Sequence, residues 1–409
     1  MSEGFRFELY QNNFLFLQNI ESTLLKKGTM INKLTFKNYK PFKDHQELEL
    51  KPITVLIGKN SSGKSAIAKL PTLIENSLKG DFYGPLLLEN ENIDLGAEFK
   101  DLIFGRTRTG FVEFGMHCEN EVLNVVVGSG TGTKDLPQVF EWRLQNQYGN
   151  FEMDMNEKYK GFILQSKKPE FLIKNITLNV DYFGPFRVQP ERQYSRKIST
   201  KIEKVGVTGE YAYQLLIQDV LSIEKSLIEK VSDWYKKNFE GWGIKINEDL
   251  APFYQIELTR NKGALNINIV DVGQGMSQAL PLVVRALMPT VEDTLIIVEQ
   301  PELHLHPAAH GELAELFVDS LKDGSKRYLI ETHSQNFVLR LRRLIADGSL
   351  NPNDFALYFV DFDEETGTSN LKPIIVDELG EVDFWPENIF NESLDEVLAI
   401  RRAQKRATT

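Results

Sequence analysis

The stretch that most limits what this chain can fold into is "VLIGKNSSGKS", Val55 to Ser65. An apolar, β-favouring run stops at Gly58, polar residues follow, and Gly63-Lys64-Ser65 opens the helical pattern "AIAKLPTLIENSLKG". This is G-x-x-x-x-G-K-[ST] in the context it requires, after a strand and before a helix. The glycines let the backbone close around phosphates, while successive amides and the helix N-terminus present donors to them. Lys64 would reach the terminal phosphates, and Ser65 would offer a hydroxyl to Mg²⁺. The predicted nucleotide-binding set is Gly58, Lys59, Asn60, Ser61, Ser62, Gly63, Lys64, Ser65 and Ala66. Pro71 predicts an interruption of the helix that follows.

A second stretch answers the first. "TLIIVEQPELHLHP", Thr294 to Pro307, is another buried-strand pattern, and it ends in carboxylates. Glu299 is placed to support the Mg²⁺ of a bound ATP. Gln300 follows it and cannot take a proton, although an amide can orient an attacking water. Glu302 is the nearest other carboxylate and a candidate base or water ligand. The strand pattern "RYLIE" leads into "THS" and brings His333 to the end of another strand.

The 409 residues allow two or three domains, and no apolar run approaches the roughly 18 residues that would cross a bilayer. The first residues lack a basic segment before their broken apolar stretch, so no signal peptide is read there, and a cytoplasmic location is expected. A net charge of −11 argues against a dominant non-specific nucleic-acid surface. The basic run Arg187, Arg192, Arg196, Lys197, Lys201 and Lys204 is read as a solvated face or as intramolecular pairing, with a nucleic-acid groove as the alternative. Cys118, the single cysteine, is read as a small core side chain. Strand patterns early and strand–helix alternation late predict a mixed α/β fold. Its expected parts are an amphipathic extension at 1–29, a phosphate-loop part at 30–100 and an insertion lobe at 101–270. A second core part follows at 271–360, then C-terminal strands and a helix at 361–409.

In order and spacing, these pieces resemble the ABC-type ATPase heads of the SMC, RecF and OLD-like group. The resemblance is carried by "LTFKNYKPF", "GKNSSGKS", "IDLGAEFKDL", "YFGPFRVQPERQY", "VGVTGEYAYQLL", "DVGQGMSQALPLVV", "EQPELHLHP", "ETHSQNFVLRLRR" and "VDFWPENIF". It is similar, more closely, to bacterial AAA-type ATPases that end in a C-terminal domain of unknown function and are often encoded in anti-phage defence systems. The resemblance implies an ABC-type P-loop head with a sheet-and-helix insertion lobe, slow ATP hydrolysis, and heads paired around ATP–Mg²⁺ as a homodimer or larger homo-oligomer. It also implies a separate effector protein, and the lack of a long apolar run leads to no membrane being expected as a partner. "DVGQGMSQ" falls where such heads carry their signature turn, so Gly273, Gly275 and Ser277 would meet a partner protomer's γ-phosphate. His333 matches the switch histidine. Gln300 stands where these heads usually carry the water-activating glutamate, and it is either native to such proteins or an engineered ATP-trapping substitution. No glutamine lies between Ser65 and Gln138, leaving Asp94 or Asp101 for the role of the usual Q-loop.

Three rival readings stand beside this one. A RecF-like DNA-binding repair or maintenance ATPase would require a nucleic-acid surface. A nuclease reading would use Asp361 and Asp363 at the end of "ALYFVDFD", and a zinc site would use His304, His306 and His310. The short remaining chain and the irregular histidine spacing count against the last two.

Overall fold

The computed structural model describes residues 30–90, 93–129, 136–153, 157–165, 173, 176–195, 202–260, 265–290, 293–387, 389–390 and 392–407. The expected extension at 1–29, the Gly/Thr-rich residues 130–135, and Arg196, Lys197 and Lys201 lie outside the described residues.

The chain opens with strands β1 (Lys33–Lys37), β2 (Gln46–Glu49) and β3 (Ile53–Gly58), followed by helix α1 (Lys64–Lys79). Strands β4 (Phe111–His117), β5 (Val122–Ser129), β6 (Pro137–Asn146) and β7 (Gly149–Glu152) form an antiparallel meander. The short strand β8 (Val180–Phe183), helices α2 (Ala212–Val220) and α3 (Ser226–Asn238), and strands β9 (Gly243–Asn247), β10 (Phe253–Arg260) and β11 (Leu265–Asn268) come next. Then follow α4 (Gln274–Leu287), β12 (Thr294–Glu299), α5 (Pro307–Ser320), β13 (Lys326–Glu331), α6 (Gln335–Ala346), β14 (Phe355–Asp363), β15 (Thr368–Ile374) and α7 (Glu392–Ala407).

The central sheet runs β8-β12-β13-β3-β14-β15, parallel except for the last strand. Every residue of β3 and of β12 is buried, which is why both read as unbroken apolar runs: a parallel sheet is covered on both faces. Side chains alternate across it. Val55, Ile57, Ile296, Val298 and Ile330 enter one core, shared with α2 to α6. Leu56, Leu295, Ile297, Leu329 and Val360 enter another, shared with α1 and the antiparallel sheet β2-β1-β4-β5-β6-β7. The same alternation carries Glu299 and Glu331 to the α1 side. Asp181 of β8 faces the opposite side, where it pairs with Arg285 of α4, both side chains buried.

The fold is therefore of the expected α/β class with mixed strands. The sheets, however, do not divide at the expected boundaries. β1 pairs with β4, which joins 30–100 to the proposed insertion lobe, and β8, inside that lobe's span, is a strand of the central sheet. Four residues are too few to show a period, so β8 looks in sequence like any short strand. The expected break at Pro71 is also absent, and α1 continues through it. Leu70, Pro71, Leu73 and Ile74 are all buried, and that packing offsets the hydrogen bond a proline cannot donate. Cys118 is a buried core residue as read, and burial pushes its thiol up to about 12. Among the described residues, no helix is long and apolar enough to cross a membrane.

The Asp181–Arg285 pair gives a test of the packing. Arg285→Met leaves a buried carboxylate without its guanidinium and should cost about 3 kcal/mol or more of unfolding free energy. Adding Asp181→Leu should recover most of the loss, measured by urea unfolding of both variants beside the parent.

Candidate nucleotide site

At the end of β3 the backbone turns into a loop that only particular residues can make. Gly58 has φ 154°, and a Cβ there would lie 2.6 Å from the carbonyl oxygen of Val360 on the adjacent strand. Gly63 has φ 102°, and a Cβ there would meet the Pro41 ring at 2.7 Å. These two glycines fix the loop's ends, and Ser61 makes its middle turn at φ 62°. Lys59, Asn60 and Ser61 are exposed, whereas Ser62 and Lys64 are buried. Ser62 Oγ has no hydrogen-bond partner among the described residues. The loop is also braced from far along the chain: Ser369 of β15 donates its hydroxyl to Ser62 O at 2.6 Å and its amide to Pro41 O at 2.8 Å.

Lys64 Nζ donates to Gly58 O at 3.0 Å and Lys59 O at 2.7 Å, so the ammonium lies folded back over the loop. Burial lowers its pKa, and the nearby charges of Glu331 and Glu302 oppose that shift. Gly63 caps α1, and Ala66 donates its amide to Gly63 O in the first turn. Ser65 Oγ donates to Glu331 Oε2 at 2.8 Å.

The two strand-end carboxylates differ in their company. Glu299 accepts a 2.6 Å hydrogen bond from the Tyr182 hydroxyl of β8. Burial holds its carboxyl above the ordinary carboxylate range, against the pull of that hydrogen bond and of the Lys69 and Arg187 charges. Glu331 is pushed up to about 7, first by burial and then by the charge of Glu299. Glu302 is tied to the loop after β13: Thr332 Oγ1 donates to it at 2.9 Å and His333 N at 2.6 Å. Both of its oxygens are thus engaged in holding that loop. Burial, then the charge of Lys64, lowers the His333 imidazole to about 4, so the ring is neutral near pH 7.

Gln300 takes φ 47°, a left-handed conformation uncommon for a residue with a Cβ. Its amide donates to Glu331 O at 2.7 Å. Arg187 clamps the same turn, its Nη2 donating to Glu299 O at 3.1 Å and Gln300 O at 2.8 Å. Burial lowers this guanidinium to about 10. Arg187 and Tyr182 thus shape the site, and nothing local in "DYFGPFR" announces it. For Glu331 a signal existed, because "RYLIE" ends in an acid just as "TLIIVE" does.

Lys64, Ser65, Glu299, Gln300, Glu302 and His333 all gather at the C-terminal ends of β3, β12 and β13. Gly273, Gly275 and Ser277 stand apart at the start of α4. A Cβ on Gly275 would lie 3.3 Å from His304 O, Gly273 has open space around it, and buried Ser277 donates to Gln274 O of its own turn. No hydrogen bond joins them to the loop among the described residues. Asp94 and Asp101 cap their own turns, at Gly96 N and at Ala97 N and Glu98 N respectively. Asp361 pairs with Lys372 across a hairpin, and Asp363 accepts from the turn amides of Glu365 and Thr366. His310 bonds Ser334 and Leu305 O, and His306 caps α5. Of the described arginines of the basic run, Arg192 pairs with Asp271 and Arg187 is buried on backbone carbonyls, so both are engaged within the molecule. The arrangement suits an anion at the loop and a hard cation beside Ser65.

The profile of a family described as "AAA ATPase domain" matches residues 30–205 and 187–338. One described as "Protein of unknown function (DUF3696)" matches residues 350–400. No curated protein matches the chain. Among solved structures, the chain is similar to an SMC head domain from Thermotoga maritima at 13% identity, covering 85% of this chain and 100% of that one, with a TM-score of 0.41. It is also similar to an Smc head domain with an extended coiled coil, bound to the C-terminal domain of ScpA and derived from Pyrococcus furiosus. There the identity is 12%, the coverage 91% and 99%, and the TM-score 0.44. At these values the likeness bears on neither partners nor activity.

Arg187→Met should lower the unfolding free energy by about 1–3 kcal/mol, since the buried carbonyl of Glu299 and the part-buried carbonyls of Pro185 and Gln300 lose a charged donor. Arg187→Lys should recover only part of it, because an ammonium cannot reproduce the guanidinium fork. Denaturant midpoints at unchanged slope would measure both.

Proposed function

Because the chain belongs to the AAA ATPase domain family and is an ATPase, we propose that it binds ATP with Mg²⁺ at the Gly58–Ala66 loop and hydrolyses it slowly. The observation that carries this reading is the buried Lys64 ammonium, held over Gly58 O and Lys59 O where only an anion would draw it further out. Bound magnesium would neutralise charge on the β- and γ-phosphates. Ser65, with strand-end carboxylates behind it, would hold that ion. These are hydroxyl and carboxylate oxygens, the hard donors that Mg²⁺ takes. Lys64 would exchange its two carbonyls for phosphate oxygens.

Slow turnover follows from the choice of groups around the water position. Gln300 has no basic oxygen, Glu302 is engaged by Thr332 and His333, and neutral His333 can accept or donate one hydrogen bond without carrying charge. The ATP-bound state is then long-lived, which suits a switch better than a metabolic catalyst. The same reading has Gly273, Gly275 and the α4 N-terminus present donors to the phosphate of a second copy, pairing two heads as a homodimer or larger homo-oligomer. Open space at Gly273 supports it. The protein would serve in the cytoplasm as the sensor or regulator of a bacterial anti-phage system, acting on a separate effector protein. The resemblance of the motif series to ATPases encoded in anti-phage systems motivates that role.

Lys64→Ala should abolish nucleotide binding, the nucleotide-driven pairing seen by light scattering, and phage protection in cells carrying the gene with its native neighbours. Protection that survives Lys64→Ala would remove the ATP-dependent role. Gln300→Glu should raise single-turnover hydrolysis at least about tenfold with ATP affinity little changed, since general-base assistance is typically worth 10²–10⁴. An unchanged rate, together with loss of hydrolysis in Glu302→Gln, would assign the base to Glu302 instead.

A further inference from the structure

The hydroxyl that opens α1 is bonded to the carboxylate at the end of β13, not to the one at the end of β12. We propose that Glu331 is the principal protein carboxylate of the divalent-cation site, holding the ion together with Ser65, while Glu299 backs it from the neighbouring strand. The inference rests on the reading of the loop as an ATP–Mg²⁺ site and deepens it.

Three observations support it. Glu299 and Glu331 are direct neighbours in the parallel register of β12 and β13, and both point to the α1 side, where Ser65 sits in the first turn. There the two carboxylates diverge: Ser65 Oγ lies 2.8 Å from Glu331 Oε2, whereas Glu299 Oε1 is taken at 2.6 Å by Tyr182. Finally, Glu331 is 4% exposed, and among the described residues it has no ion pair and its one side-chain hydrogen bond comes from a neutral hydroxyl. A buried carboxylate so poorly compensated is costly, and a cation on the same oxygens offsets that cost.

The donor set fits Mg²⁺ or Mn²⁺. Mg²⁺ is usually bound through one or two carboxylates plus substrate phosphates and waters. Among the described residues, no group of three or more His, Cys, Asp and Glu could hold a metal by itself. The site is therefore incomplete until phosphate oxygens arrive, and cation binding should depend on nucleotide.

The test uses the full chain with Mn²⁺ as the probe ion and a fluorescent, non-hydrolysable ATP analogue. Bound Mn²⁺ is read by electron paramagnetic resonance, and nucleotide binding in EDTA by anisotropy. Glu331→Gln should raise the Mn²⁺ concentration for half-saturation of the ternary complex by about tenfold or more. In EDTA the same variant should bind nucleotide as well as the parent or tighter, because a negative charge beside the phosphates is gone. Glu331→Asp should fall between, and Glu299→Gln should shift the Mn²⁺ requirement less than Glu331→Gln. An unchanged Mn²⁺ requirement in Glu331→Gln, a larger shift in Glu299→Gln, or loss of nucleotide binding in EDTA by Glu331→Gln and Glu331→Asp alike would overturn the assignment. A parent protein that binds no nucleotide would overturn the ATP reading beneath it, which keeps the two failures apart.

Discussion

The alternation of side chains across the parallel strands governs this molecule more than any single contact. Leu295 and Ile297 enter the core under α1, while Ile296 and Val298 enter the core under α2 to α6. Slipping β12 by one residue would exchange its contributions to both cores at once, so the register is held from two sides. The functional groups inherit that certainty. Glu299 and Glu331 face Ser65 because Ile297 and Leu329, two residues earlier on their strands, belong to the α1 core.

Around the phosphate loop the protein assembles an unusual density of buried charge. Lys64, Arg187, Glu299 and Glu331 all sit at or below 8% exposure. Few of these charges meet directly: Lys64 and Arg187 rest on backbone carbonyls, Glu299 on a tyrosine hydroxyl and Glu331 on a serine hydroxyl. These contacts supply hydrogen bonds, though Arg187 Nε has none among the described residues, and they leave the charges poorly neutralised. A site of this kind is poised for ligands that carry the missing charges, a polyanion for the cations and a metal for the carboxylates.

The sequence displayed the parts of this arrangement unevenly. The loop was legible because its chemistry is local: two glycines, a lysine and a serine at fixed spacing, between a strand pattern and a helix pattern. The β12 strand was legible for the same reason. The partnering of Ser65 was not, because Glu331 lies 266 residues away and only the strand order brings β13 between β3 and β12. Arg187 looked like one basic residue in a surface run, yet it is buried and clamps the turn at Gln300. Tyr182 sits on a four-residue strand too short to betray its place in the central sheet. Pro71 misled in the other direction, since tertiary packing kept α1 intact through a residue that would end an isolated helix.

The brace from Ser369 to Ser62 has a consequence for how the protein is made. The loop carbonyl and the hydroxyl that holds it are 307 residues apart, with nearly the whole fold between them. A ribosome therefore releases the cradle well before its support. Throughout elongation the glycine loop waits without that contact, and it gains its finished geometry only after β15 has emerged. The loop's finished geometry is thus tied to the synthesis of β15, and a truncated product ending before Ser369 would display the motif without this brace.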